Sequence, residues 1–312
     1  VTLPEEGTEM EKISIYNENE EYVQSANTLF HFMKERQFLT DILNRKALVP
    51  RYCNENIPYL DIEIAGKKID KISILQKCFC DMHFHKLSEK NKIKVVDDDE
   101  ITDEEKEHIQ NSSSHTDFYG GYAVAFSKRW GEEKGLQPIV YVNSESDYTK
   151  TLKDYLKESL RAEKLNDVSY NYILSTLGHI KPIRGEMERI TDSGKIVKVI
   201  KNFHDEKEWR YVPRQEELIR NNLQNIIVSE NVLKKRSTIN RELQNIEYQN
   251  IWLRFEYEDI KYIIVPNRTE RIELIKFINL LPDNNFRDDD GEIDKDILIS
   301  RILVLEEIRG DW

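Results

Sequence analysis

Apolar positions along the chain recur with two different periods, and the changes of period mark the elements. Leu29-Phe30-His31-Phe32-Met33 is a compact apolar run that reads as a strand. Leu39, Ile42 and Leu43 then fall on one helical face within Phe38 to Leu43, and Pro50 is expected to end that helix. Tyr59 to Ile64 and Ile69 to Leu75, joined through Gly66-Lys67-Lys68, read as a hairpin. Tyr122 to Phe126 and Ile139 to Val142 read as strands, with a helix over Lys128 to Lys134 between them and Gly135 as its C-cap. Tyr148 to Ala162 and Val168 to Leu177 carry helical spacing, closed by Gly178 and Pro182. Lys195 to Phe203 and Glu208 to Val212 are strand candidates, and Gln215 to Asn225 is a helix candidate. Leu253 to Tyr257 alternates apolar and charged residues, and Tyr262 to Val265 is a buried strand run. Thr269 to Leu281 is strongly periodic, with Thr269 expected as N-cap, and Ile297 to Ile308 is apolar enough to dock.

Strands and helices do not alternate strictly, which favours an α+β fold over a doubly wound parallel sheet. The expected architecture is a mostly antiparallel, split sheet with flanking helices, in a single domain over residues 25–312. Residues 1–24 are acidic and weakly patterned, and are expected to be extended or partly disordered, with 1–9 reading as an added tag ahead of Met10. Residues 92–116 run from Asp97-Asp98-Asp99-Glu100 to Ser112-Ser113-Ser114 and read as an acidic, serine-rich insertion, the best candidate for a mobile loop.

Composition narrows the function classes. With 39% hydrophobic and 33% charged residues, the chain has enough apolar content for a core and a strongly charged surface. A formal charge of -12 disfavours extended nucleic-acid binding, which needs clustered Lys and Arg. Cys53, Cys78 and Cys80 form no disulfide framework, so a reducing, cytoplasmic setting is expected. No run approaches the roughly 18 apolar residues of a membrane helix.

Three segments carry more chemistry than a core needs. Asp205 to Tyr211 sets carboxylates at the mouth of a strand beside Trp209 and Arg210. Glu208 there is the catalytic candidate, because breaking a glycosidic bond calls for fixed negative charge near an oxocarbenium ion. Its ordinary alternative is a rim carboxylate paired with Arg210 or Lys207. His31 alternates away from Phe30 and Phe32, as a ligand-binding imidazole or a satisfied core histidine. Tyr119-Gly120-Gly121-Tyr122 lets backbone approach a ligand, with Tyr122 to stack on a ring and Ser127 to hydrogen-bond, or it is a tight turn into a core strand. Asp81, His83 and His85 would share one face of a strand as a metal triad, the basis of a third, nuclease reading that the acidic charge disfavours. No P-loop, dinucleotide or nucleophile-elbow spacing is present.

These segments together resemble a known family. Leu29 to Phe32 with Leu39, Ile42 and Leu43, Val49 to Tyr52, Cys78 to Asp81, Tyr119 to Trp130, Pro138 to Asn143, Asp205 to Val212 and Asp259 to Val265 are similar, in order, to the AbiGi family of bacterial abortive-infection proteins. Met82-His83 stands where that pattern has a proline, which argues against a family-wide role for His83 or His85. The resemblance implies phage defence as the antitoxin partner in a two-gene pair. The order of histidine strand, Tyr/Ser strand and late glutamate also looks like the ADP-ribosyltransferase fold, a looser likeness. It implies NAD as substrate, with His31 on the adenosine-side ribose, Tyr122 on nicotinamide beside Tyr119, and Ser127 assisting. Arg51 would reach the pyrophosphate and Glu208 the nicotinamide-ribose 2′-hydroxyl, with Glu206 as its rival. The enzymatic expectation is therefore that His31, Tyr122 and Glu208 line one hollow; the alternative is a non-catalytic antitoxin that binds a partner toxin.

Overall fold

The computed structural model describes residues 25–64, 66–87, 89–90, 93–96, 101–111, 114–161, 166–191, 194–286 and 295–311. The acidic segment 1–24 and Asp97 to Glu100 lie outside these residues.

The fold is α+β, as the patterning implies. Strand β1 (Thr28–Met33) leads into helix α1 (Arg36–Arg45), which buries Leu39, Ile42 and Leu43. Each of those side chains contributes about 1.5–3 kcal/mol by leaving water. The helix ends at Lys46, not at Pro50: Lys46 adopts a left-handed φ of 49° and its N–H bonds to the carbonyls of Ile42 and Leu43. Strand β2 (Arg51–Asn56) and the eleven-residue β3 (Lys71–Asp81) follow. The predicted hairpin shortens to Ile62–Ile64 against Lys67–Ile69, because Tyr59 belongs to a 3-10 turn.

Helix α2 (Asp103–Asn111) lies within the expected acidic, serine-rich insertion, and α3 (His115–Tyr119) begins at its end. Ser114 closes the serine run as a reciprocal cap with Asp117, which turns a loop signal into a helix start. Strand β4 (Tyr122–Ser127) and α4 (Lys128–Glu133) match their predicted places, as do α5 (Asp147–Arg161) and α6 (Asp167–Gly178). Strand β5 (Ile180–Pro182) precedes the hairpin of β6 (Arg184–Ile190) with β7 (Ile196–Asn202). The β6 strand was not expected, since Arg184-Gly185-Glu186-Met187-Glu188-Arg189 is too polar to read as one. Strand β8 (Glu208–Tyr211) follows, and the alternating run after Leu253 is extended only at Leu253–Arg254 before a 3-10 turn. Strand β9 (Ile260–Val265), α7 (Arg268–Leu280) and β10 (Ile302–Val304) complete the sheet, with β10 docking the tail in parallel against β9. The N-cap of α7 is Asn267, whose side chain accepts from the Glu270 N–H; Thr269 is already inside the helix.

One feature of register positions the cleft. β1 pairs with β4 along its whole length, from Thr28↔Ser127 to Met33↔Tyr122. It pairs with β3 only at Leu29↔Asp81 and Phe30↔Cys80, and then leaves it. The first half of β3 pairs instead with β2, from Arg51↔Gln76 to Asn56↔Lys71, and its second half with β8. The sheet splits where β1 departs.

Candidate functional site: a charged cleft at the split of the sheet

Two adjoining cavities open at this split, of about 420 and 670 Å³. His31 and Tyr119 line both, Glu206, Glu208 and Lys181 line the smaller, and Arg51 and Lys77 the larger. The volumes fall in the range of small-molecule pockets.

The carboxylates reach the smaller cavity through one backbone turn. A 3-10 turn (Phe203–Glu206) ends at Lys207, whose φ of 44° is left-handed, and β8 begins at Glu208. Glu206 therefore precedes the strand rather than sharing its face by alternation, yet both carboxylates converge on one ammonium. Lys181 Nζ lies 3.3 Å from Glu206 Oε2 and 3.0 Å from Glu208 Oε2. Lys201 Nζ lies 2.5 Å from Glu206 Oε1, which also accepts from the Tyr119 hydroxyl. Arg210 holds Glu208 through Nε at 2.6 Å, donates to Glu55 Oε1 at 2.7 Å and to the Gly178 carbonyl at 3.0 Å. The Glu208 N–H donates to the Tyr141 hydroxyl at 2.8 Å.

Glu208 is 5% exposed and Arg210 fully buried, so this is an interior ion-pair network, not a rim pair. Burial works against ionising Glu206, but Lys181 and Lys201 outweigh it and bring its pKa down to about 2. Burial opposes ionisation of Glu208 as well, and Arg210 with Lys181 holds it well below the usual carboxylate range. Both groups are anions at neutral pH, and neither can serve as a general acid there.

His31 reaches the cleft in its neutral form. Its Nδ1 is 2.8 Å from the Cys78 carbonyl, which can only accept, so Nδ1 carries the proton and Nε2 is left as an acceptor. Burial first, then Lys77, pushes its pKa well down. Register places Glu208 opposite Cys80 and Cys80 opposite Phe30, so the neighbouring His31 projects from the other face of the sheet. It lines the same cavity as Glu208 only because β1 and β3 part beside it.

Tyr122 and Ser127 line neither cavity, which corrects the expected triad. Tyr122 pairs across from Met33, packs against the main apolar cluster and hydrogen-bonds Glu270. Ser127 caps α4, accepting from the Trp130 N–H at 3.1 Å. The phenol in the cleft is Tyr119, carried there by α3, with its ring tilted against His115 at a centroid distance of 4.6 Å. The glycines after it serve packing: a Cβ at Gly120, where φ is +107°, would fall 2.1 Å from the Met33 carbonyl oxygen. Asp81 ends β3 and pairs with Lys128 Nζ at 2.6 Å, while His83 and His85 lie past the strand with rings stacked at 5.5 Å. Among the described residues no three His, Cys, Asp or Glu side chains are grouped to hold a metal.

Sequence reasoning missed Lys181, Lys201, Glu55 and Tyr141. Lys201 had a signal: Val197, Val199 and Lys201 alternate, all buried, so the lysine occupies an inward position of β7. Lys181 had none, since its partners are remote in sequence.

The geometry defines an α+β protein with a split, mostly antiparallel sheet and an ion-paired cleft at the split. The chain belongs to the AbiGi family: the family model described as "Putative abortive phage resistance protein AbiGi, antitoxin" matches residues 101–266. The Abortive phage resistance protein AbiGi of Lactococcus lactis subsp. cremoris is 32% identical over 279 residues, which cover 85% of this chain and 100% of the relative. No solved structure matches significantly, so the ADP-ribosyltransferase likeness has no structural neighbour behind it. Among the described residues no helix is long and apolar enough to cross a membrane.

Proposed function

We propose that this protein serves abortive infection as the antitoxin of a partner toxin, which it restrains by binding and not by turning over a substrate. The state of Glu208 carries this reading. Its carboxylate is closed off by Arg210 and Lys181, whereas an active carboxylate needs a free oxygen facing its substrate. The family description, antitoxin, points the same way. Co-expression with a toxin encoded beside it tests the reading. Restored growth, a co-purifying pair and no nicotinamide release from NAD are expected; a toxin that neither binds nor is silenced overturns it.

A second reading, NAD-dependent ADP-ribosyl transfer, is favoured by one observation: two ionised carboxylates share a cavity with His31 and Tyr119. Nicotinamide leaves NAD as a neutral molecule and needs no proton donor, so anionic Glu206 and Glu208 suit this cleavage better than one requiring a general acid. His31 Nε2 would accept from a ribose hydroxyl, and Glu208 or Glu206 would face the nicotinamide ribose. Nicotinamide release by the wild-type protein, lost in a folded Glu206→Gln or Glu208→Gln variant, would put this reading first.

A further inference from the structure

Lys77 sits in the middle of β3 and is 9% exposed. Among the described residues no carboxylate forms an ion pair with it, and no acceptor receives its ammonium. It lines the larger cavity, beside Arg51 and His31. An interior ammonium without a counter-ion is costly, and its neighbours make it costlier. Burial first, with Arg51 adding to it, brings the Lys77 pKa down to about 8, and both cations depress His31 in turn. The same cavity is lined by five Lys or Arg residues against three Asp or Glu, in a chain whose net charge is -12. Positive charge is thus concentrated where the rest of the molecule would place negative.

Contrast the smaller cavity, whose lining carboxylates Glu206 and Glu208 pair with Lys181, Lys201 and Arg210 at 3.3 Å or less. There the charges are balanced by protein. In the larger cavity, among the described residues, none of the lining carboxylates Glu35, Asp41 and Glu188 forms an ion pair with Lys77 or Arg51, and apolar walls from Phe32, Phe38 and Val49 stand beside the cations.

We propose that the larger cavity is a binding site for a small phosphate-bearing molecule of the nucleoside diphosphate class, with Lys77 and Arg51 as its phosphate ligands. The ammonium supplies a point charge and the guanidinium of exposed Arg51 a two-pronged donor, the pairing phosphate oxygens accept best. The apolar walls take the organic part. This inference needs neither reading of the smaller cavity: an antitoxin would carry the ligand as a regulator, an enzyme as part of its substrate.

Isothermal titration of the full chain with ADP, and separately with inorganic pyrophosphate, tests it. ADP contains no nicotinamide bond, so the result is independent of NAD turnover and of toxin binding. Wild-type protein is expected to bind ADP, with pyrophosphate competing. Lys77→Met is expected to weaken binding by about tenfold or more without lowering the melting temperature, because it removes a buried charge that has no partner. Lys77→Arg should retain binding. Arg51→Gln, at an exposed position, should weaken binding in a protein of unchanged stability and guards against a folding defect in the first variant. Absence of ADP binding by the wild type, or equal binding by Lys77→Met and Arg51→Gln, overturns the proposal.

Discussion

Replacing Glu208 by Gln would leave Arg210 and Lys181 inside the protein with less negative charge to balance them. Breaking a buried ion pair from one side costs about 3–5 kcal/mol, so urea unfolding of Glu208→Gln should show a lower midpoint by that much stability. An unchanged midpoint would mean that the network is wetter than its burial implies. Glu206 gives the same network a pH signature. Its carboxyl falls from 4.5 to about 2 on folding, so its stabilising contribution is complete above pH 4.5 and is lost as pH falls through about 2. Acid titration of stability should steepen in that window, and Glu206→Gln should flatten it. At this scale the sequence marked Glu208 and Glu206 by placing carboxylates beside Trp209 and Arg210. It gave no sign that both would meet Lys181, because that lysine comes from a separate short strand.

At the scale of elements, local pattern was a good guide wherever one face of an element is buried. The triplet Leu39, Ile42 and Leu43 of α1 is the buried set that its spacing implies. Element ends were less legible, since several neighbouring residues can cap a helix equally well on paper. For α7 the structure chooses Asn267, so Asn267→Ala should cost about 1 kcal/mol and Thr269→Ala much less. Thermal melts of the two variants distinguish the assignments, and equal losses would contradict the capping geometry. The end of the serine-rich insertion was hard to read for a related reason. Ser114 and Asp117 look like loop residues until they cap each other, and α3 then becomes the element that delivers Tyr119 and His115 to the cleft.

For the molecule as a whole, β3 is the shared member. Its residues belong to four of the five apolar clusters: Phe79 to the largest, Ile72 and Ile74 to the second, Leu75 to the third and Cys80 to the fourth. A chain whose clusters share one strand should lose them together. Tryptophan fluorescence, from Trp130 and Trp209 in the largest cluster and Trp252 in the third, should change at the same urea concentration as far-ultraviolet circular dichroism. Separate midpoints would show that the clusters unfold independently.

The sequence by itself determined the α+β class, most helices and strands, the AbiGi family and the segments that carry His31, Tyr119, Arg51 and Glu208, because periodicity and motif are local properties. Only the tertiary structure decided which of these side chains meet. Strand alternation sent Tyr122 to the apolar cluster and His31 to the face opposite Glu208. The parting of β1 from β3 after two paired residues then opened the cleft that His31 and Glu208 share. That parting also left Lys77 buried beside a cavity, with no carboxylate paired to it among the described residues, a consequence of pairing between distant strands that no window along the chain contains.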